Sequence, residues 1–200
     1  MLRRSRCLVA SLLFAGLVGL VRGQDAGPPT PYFPLAVGTT WSYRAGDSRF
    51  QLKVAGIEKV GDTSCARIEL IVNGKAVSHE HVAATKTGLF RYSFEGKEAR
   101  PAIEFLKLPP KAGDTWKVDS KVDGQPLKGT FKAGEEETKV PAGAYKAITV
   151  TGTDLEANGV KVTLKYFFAE KVGMVRQQVD VAGQKVNIEL EKFEAGSEKK

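Results

Sequence analysis

The residues best placed for chemistry in this sequence are His79-Glu80-His81. Residues two apart in a strand point the same way, so His79 and His81 would present two imidazoles side by side. Such a pair can hold a metal ion if a neighbouring strand supplies a third ligand. No second cluster of His, Cys or Asp has ligand spacing, and solvated strand histidines are the plainer account. Glu135-Glu136-Glu137 precedes Val140-Pro141 and reads as a hairpin tip, where three carboxylates repel one another into solvent. A calcium loop would alternate Asp or Asn and close on Glu, a pattern that is missing. A Gly-rich phosphate loop and a G-x-S-x-G elbow are missing too. No catalytic residue is assigned, the chain is not expected to be an enzyme, and no cofactor is expected.

The cysteines narrow the chemistry further. Residues 1–23 read as an export signal helix: Arg3, Arg4 and Arg6 precede an uncharged apolar run from Cys7 to Val21, with small residues before Gln24. That segment is too short and wrongly flanked for a membrane span. Cys7 leaves with it, so Cys65 is the single thiol and an internal disulfide is impossible. A nucleophile would need a paired base, and none is visible near Cys65. The signal also holds four Arg and no acid, so its removal takes the formal charge from +7 to +3. Without a basic run interleaved with aromatics, that balance offers no nucleic-acid footprint.

The elements that must position these residues are strands. Val160, Val162, Leu164, Tyr166 and Phe168 alternate with Lys161, Thr163 and Lys165; Val186, Ile188 and Leu190 alternate with Lys185, Asn187 and Glu189. Alternation of this kind marks antiparallel strands with one dry and one wet face. Asn73-Gly74, Glu95-Gly96, Asp123-Gly124, Asn158-Gly159 and Ala182-Gly183 fall between such runs and supply the positive φ of tight hairpins. The pattern predicts an all-β antiparallel meander of eleven or twelve strands and no helix beyond the signal. A large one-sided sheet with nothing to cover it must curl into a barrel or a clam.

One phrase is written twice. Gly38, Thr40 and Trp41 recur as Gly113, Thr115 and Trp116, and Asn73-Gly74 recurs as Asn158-Gly159. The chain therefore divides into the signal, a Pro-rich linker (24–31), one β domain (32–193) of two related halves (about 32–106 and 107–193), and a polar tail (194–200). More than eight strands enclose space that side chains struggle to fill. Trp41, Tyr43, Trp116, Phe131, Tyr166 and Phe168 are the candidates to line such a cavity or to plug it. An outer-membrane barrel would gather aromatics into girdles. Here aromatics are 8% of the chain and spread along the strands, which argues against one.

Pro34-Leu35-x-x-Gly38-x-x-Trp41-x-Tyr43, Gly113-Asp114-x-Trp116, Val140-Pro141-Ala142-Gly143-x-Tyr145 and Tyr166-Phe167-Phe168-Ala169 run through to Val172-Gly173-Met174-Val175. In this combination the chain resembles uncharacterised secreted bacterial all-β domains of unknown function. Their sheets are similar in outline to the curled half-barrels of periplasmic lipoprotein carriers, which hold acyl chains in an apolar concavity. The resemblance implies a secreted or periplasmic protein, and the missing lipid-attachment Cys implies a soluble one. It carries over no catalytic residue, and fold alone does not grant function. Two roles are expected: binding a lipid or other apolar or amphipathic small molecule in the concavity, or acting as a structural or protein-interaction module of the cell envelope with a filled core. Neither nucleic acid nor a transmembrane span of the mature chain is expected.

Overall fold

The computed structural model describes residues 26–196; the expected signal (1–23), residues 24–25 and the last four residues lie outside the described residues. Twelve strands follow one another: β1 (Thr40–Ala45), β2 (Ser48–Val60), β3 (Thr63–Val72), β4 (Lys75–Ala84), β5 (Gly88–Phe94), β6 (Lys97–Lys107), β7 (Thr115–Val122), β8 (Gln125–Val140), β9 (Gly143–Ala157), β10 (Val160–Ala169), β11 (Gly173–Val181) and β12 (Gln184–Glu194). Each pairs antiparallel with its chain neighbours, and β1 pairs with β12, so the meander closes into a barrel. Closure removes the exposed edges that an open sheet of this size would leave. No helix occurs among the described residues.

The hairpins form as the turn residues dictate. Asn73 and Gly74 have φ of 50° and 75°, and Asn158 and Gly159 have 51° and 76°. Both central positions are thus left-handed, which matches the twist of the flanking strands. One expectation is corrected: Glu135, Glu136 and Glu137 do not form a hairpin tip. They lie within β8, opposite Ile148, Ala147 and Lys146, and the tip is Val140–Gly143. Three adjacent charges are compatible with a strand here because they are exposed and a cation is at hand, Lys165 pairing with Glu136. The tip leans over the outer face of β10 to β12, where Arg176 reaches Thr138 and the Ala142 N–H donates to the Leu190 carbonyl at 3.0 Å. Phe167 lies beneath Lys165 and Arg176 on that outer face, which is why an outward aromatic is only 3% exposed.

The seam between β6 and β7 is thin. Only Ala99 with Val122 and Arg100 with Lys121 pair there. Pro101 has no N–H to give a ladder. Side chains bridge the remainder: Ser120 Oγ donates to the Pro101 carbonyl at 2.6 Å and Trp116 Nε1 to the Glu104 carbonyl at 2.9 Å.

The two ends of the barrel differ. At the end where β1 starts and β12 finishes, residues 26–38 cross the opening. The Ala26 carbonyl accepts from Ala84 N at 2.8 Å, the Pro31 carbonyl accepts from Lys171 N, and Gly38 N donates to the Val54 carbonyl at 2.8 Å. These anchor points lie on opposite walls, so the segment is a strap. Phe33 hangs from it into the barrel, stacked on Trp41 at 5.1 Å between ring centroids and edge-on to Phe105 and Phe168. At the other end, six hairpins stand around a mouth with nothing laid across it among the described residues.

Candidate functional site

The inner face can be followed from wall to wall by register, because cross-strand partners share a face. Starting from buried Tyr43, the partners are Leu190 on β12 and Phe50 on β2; starting from buried Tyr166, they are Val150 on β9 and Gln177 on β11. The six aromatic residues marked as cavity candidates all fall on this face. They do not line an open space at one level. Trp41, Tyr43 and Phe168 are completely or almost completely enclosed, and Trp116, Phe131 and Tyr166 are buried. Trp41 donates Nε1–H to the Val172 carbonyl at 2.6 Å, and Tyr43 donates its hydroxyl to the Met174 carbonyl at 2.6 Å. Trp116 packs on Phe131, and Tyr166 on Phe168 and Phe105. With Phe33 they fill the strap half of the barrel, their polar atoms satisfied as burial requires.

The mouth half is built from residues outside the six cavity candidates, although alternation had already placed Val160, Leu164, Val186 and Ile188 on dry strand faces. Phe94, Val160, Val181 and Val186 are 38–47% exposed, yet each lies on the inner face by alternation. Half-buried Phe50, Leu70, Leu164 and Ile188 continue the apolar wall inward. Four of the six large exposed hydrophobic side chains of the described residues therefore gather inside one end of the barrel. Exposed apolar residues scattered singly need no explanation, whereas a cluster of them is a feature that calls for one.

At the floor of this mouth sits an ion pair. Glu80 lies opposite Ile68, and Arg91 opposite Val82, so both charges point into the barrel. Arg91 Nε meets Glu80 Oε2 at 2.6 Å, and its Nη1 lies 3.4 Å from the Tyr166 hydroxyl on the far wall. Phe105 and Phe94 flank the guanidinium at 5.1 and 5.5 Å, a cation–π arrangement that holds its plane. Burial works against the charge of Arg91, but Glu80 and Tyr166 together outweigh it and its pKa lies above the ordinary value. Burial, and then the Glu80 carboxylate, push the Tyr43 phenol well above its ordinary range. The sequence did hold a signal for Glu80, since it stands in line with inward Val82 and Ala84. Arg91 was harder, because it alternates with the apolar Phe90 and Phe94, and only the bulge after Arg91, between β4 and β5, brings Phe94 onto the same inner face.

His79 and His81 lie on the outer face, their rings edge to face at 5.3 Å. Both nitrogens of His81 are engaged: Nδ1 with Ser93 Oγ at 2.7 Å and Nε2 with Glu58 Oε2 at 3.0 Å. Serine, imidazole and carboxylate in series invite comparison with a hydrolytic triad. Ser93 is only 4% exposed and buried between β4 and β6, so the series ties β2, β4 and β5 together instead of facing a substrate. The His81 hydrogen bond, with help from Arg67 and against some burial, holds the Glu58 carboxyl below its usual range. No group of three or more His, Cys, Asp or Glu among the described residues is placed to hold a metal ion.

No family model and no curated protein sequence matches the chain. Two solved structures are similar to it. A candidate lipoprotein from Parabacteroides distasonis aligns with a TM-score of 0.52 at 15% identity, over 86% of this chain and 100% of that one. A candidate exported protein with a YmcC-like fold from Bacteroides fragilis aligns with a TM-score of 0.47 at 13% identity, over 82% and 98%. At such identity what the first of these likenesses shows is a shared fold and nothing more.

Proposed function

We propose that this is an exported barrel that holds an apolar or amphipathic small molecule in its open mouth. The observation that carries the reading is the cluster of Phe94, Val160, Val181 and Val186, exposed on the inner face at the end opposite the strap. Apolar surface left in contact with water forfeits the stabilisation its burial would give, roughly 25 cal/mol for each Å². A ligand that covers it recovers that free energy, and the aromatic packing of the strap half keeps the walls apart without it. Export to the periplasm or beyond the cell is supported by the basic and apolar opening of the sequence and by the lipoprotein description of the structural neighbour. The recurrence of the Gly-x-Thr-Trp phrase at the starts of β1 and β7 supports an origin by internal duplication.

The test is a titration with N-phenyl-1-naphthylamine, an uncharged dye that fluoresces in apolar surroundings. The wild type should bind it saturably. A Val181→Lys/Val186→Lys variant, altered only at exposed positions, should keep its melting temperature and lose the signal. A wild type that leaves the dye dark would overturn the proposal.

A further inference from the structure

We propose that the Glu80–Arg91 floor selects the head group of the bound molecule: a single-chain amphiphile whose uncharged head both donates and accepts hydrogen bonds, as a monoacylglycerol or long-chain alcohol does. The inference rests on the mouth being the ligand site.

The floor offers one donor and one acceptor. Arg91 spends Nε on Glu80 Oε2 and directs Nη1 at Tyr166. Among the described residues, Arg91 Nη2 and Glu80 Oε1 take no hydrogen bond, and neither is an atom sealed from solvent without a partner. The two side chains remain 17% and 12% exposed, and the strap with its aromatic layer closes the other end, so access is from the mouth. A hydroxyl placed here accepts from Nη2 and donates to Oε1, which satisfies both groups at once.

Charge decides which heads are accepted. One guanidinium and one carboxylate sum to zero, so an anionic head drawn to Arg91 meets Glu80, and a cationic head drawn to Glu80 meets Arg91. Within low-dielectric walls such a clash is poorly screened. The other polar side chains that share the inner face beside the pair, Ser78 opposite Leu70 and Gln177 opposite Tyr166, are uncharged. The two lysines that the register puts on this face, Lys75 opposite Val72 and Lys97 opposite Phe94, stand at the rim by the hairpin turns. Above the floor the walls turn apolar with Phe94, Leu164 and Val186, which suits an alkyl chain extended toward the mouth.

The experiment compares three molecules with the same chain and different heads, each displacing N-phenyl-1-naphthylamine from the full mature chain below its micelle concentration: 1-dodecanoylglycerol, dodecanoate and dodecyltrimethylammonium. The uncharged glyceride should displace the dye at about tenfold lower concentration than either ion. In Glu80→Gln, Arg91 stands alone and dodecanoate should become the better competitor by a similar factor. In Glu80→Met/Arg91→Met, the dye should still bind and the glyceride should lose its advantage. Equal displacement by all three heads in the wild type would overturn the inference while leaving the mouth as a binding site. An advantage for dodecanoate in the wild type would also overturn it and move the head to the rim, near Lys75 and Lys97. Failure of the dye itself to bind would instead remove the site on which the inference rests.

Discussion

Arg91 on β5 and Tyr166 on β10 stand on opposite walls of the barrel, with the guanidinium Nη1 3.4 Å from the phenol oxygen. At this level the lumen is bridged, and the bridge divides a filled half from an open one. The charge that makes it is tolerable because Glu80 neutralises it at 2.6 Å. Arg91→Met leaves a lone carboxylate inside the barrel and should destabilise the fold by about 3 kcal/mol. Glu80→Met/Arg91→Met removes both charges and should return stability to within about 1 kcal/mol of wild type. Denaturant unfolding of wild type, both single variants and the double variant measures the coupling; losses that simply add would show that the pair is not coupled.

A second prediction concerns a bend in the wall. Leu155 fills the space left by two glycines, Gly129 at φ 155° and Gly152. A Cβ on Gly152 would strike the Leu155 side chain and come within 2.9 Å of Phe131 Cε1. Gly152→Ala should therefore cost about 1–3 kcal/mol by overpacking. Adding Leu155→Ala to that variant should recover part of the loss, although Leu155→Ala alone opens a cavity and costs about 2–5 kcal/mol. Thermal unfolding of the three variants checks the order; a double variant less stable than both singles would refute the steric account.

The alkaline side of the stability curve depends on two buried acids. Burial pushes the Cys65 thiol from 9.0 up to about 11, and burial with Glu80 raises the Tyr43 phenol from 10.0. Both groups are neutral in the fold and ionise more readily once it opens. Their contribution is whole below pH 9 and is lost as pH climbs through 11, because the unfolded chain then releases protons that the native chain retains. Melting temperature should fall across that window, and Cys65→Ala should flatten the fall. Native Cys65 should also resist a disulfide reagent at neutral pH and react fully in denaturant. Prompt native labelling would contradict its burial.

Much of this architecture could be read in the sequence, and the reason is local. Alternation fixes a face, and Asn-Gly or Asp-Gly fixes a turn, so the twelve strands fall close to their expected places. What escaped reading was non-local. Glu135 to Glu137 look like a loop because three charges together are rare in a strand, yet here Lys165 and the leaning hairpin accommodate them. Glu80 and Arg91 look solvated because charge usually is; the register puts Arg91 in line with buried Leu89, and the bulge that follows it brings Phe94 to the same side. Phe94, Val160, Val181 and Val186 are ordinary strand residues in one dimension. They become a candidate site only because closure gathers the ends of three hairpins around one opening.

The strap tests whether the filled half is organised by its own walls or by the segment that crosses it. Phe33 is 4% exposed and stacks on Trp41 with the two ring planes 12° apart, while Phe105 and Phe168 meet its edge. Its backbone is held in place by the bonds of Pro31 to Lys171 and of Gly38 to Val54. If the strap is part of the core, Phe33→Ala should cost about 3–5 kcal/mol, as for any large buried aromatic. It should also expose Trp41, which is sealed in the native fold, so acrylamide should then quench tryptophan fluorescence more strongly. Phe33→Leu keeps most of the volume and should recover part of both effects. A Phe33→Ala variant that unfolds within about 1 kcal/mol of wild type, with unchanged quenching, would mean that the walls close on themselves and the strap merely rests on them.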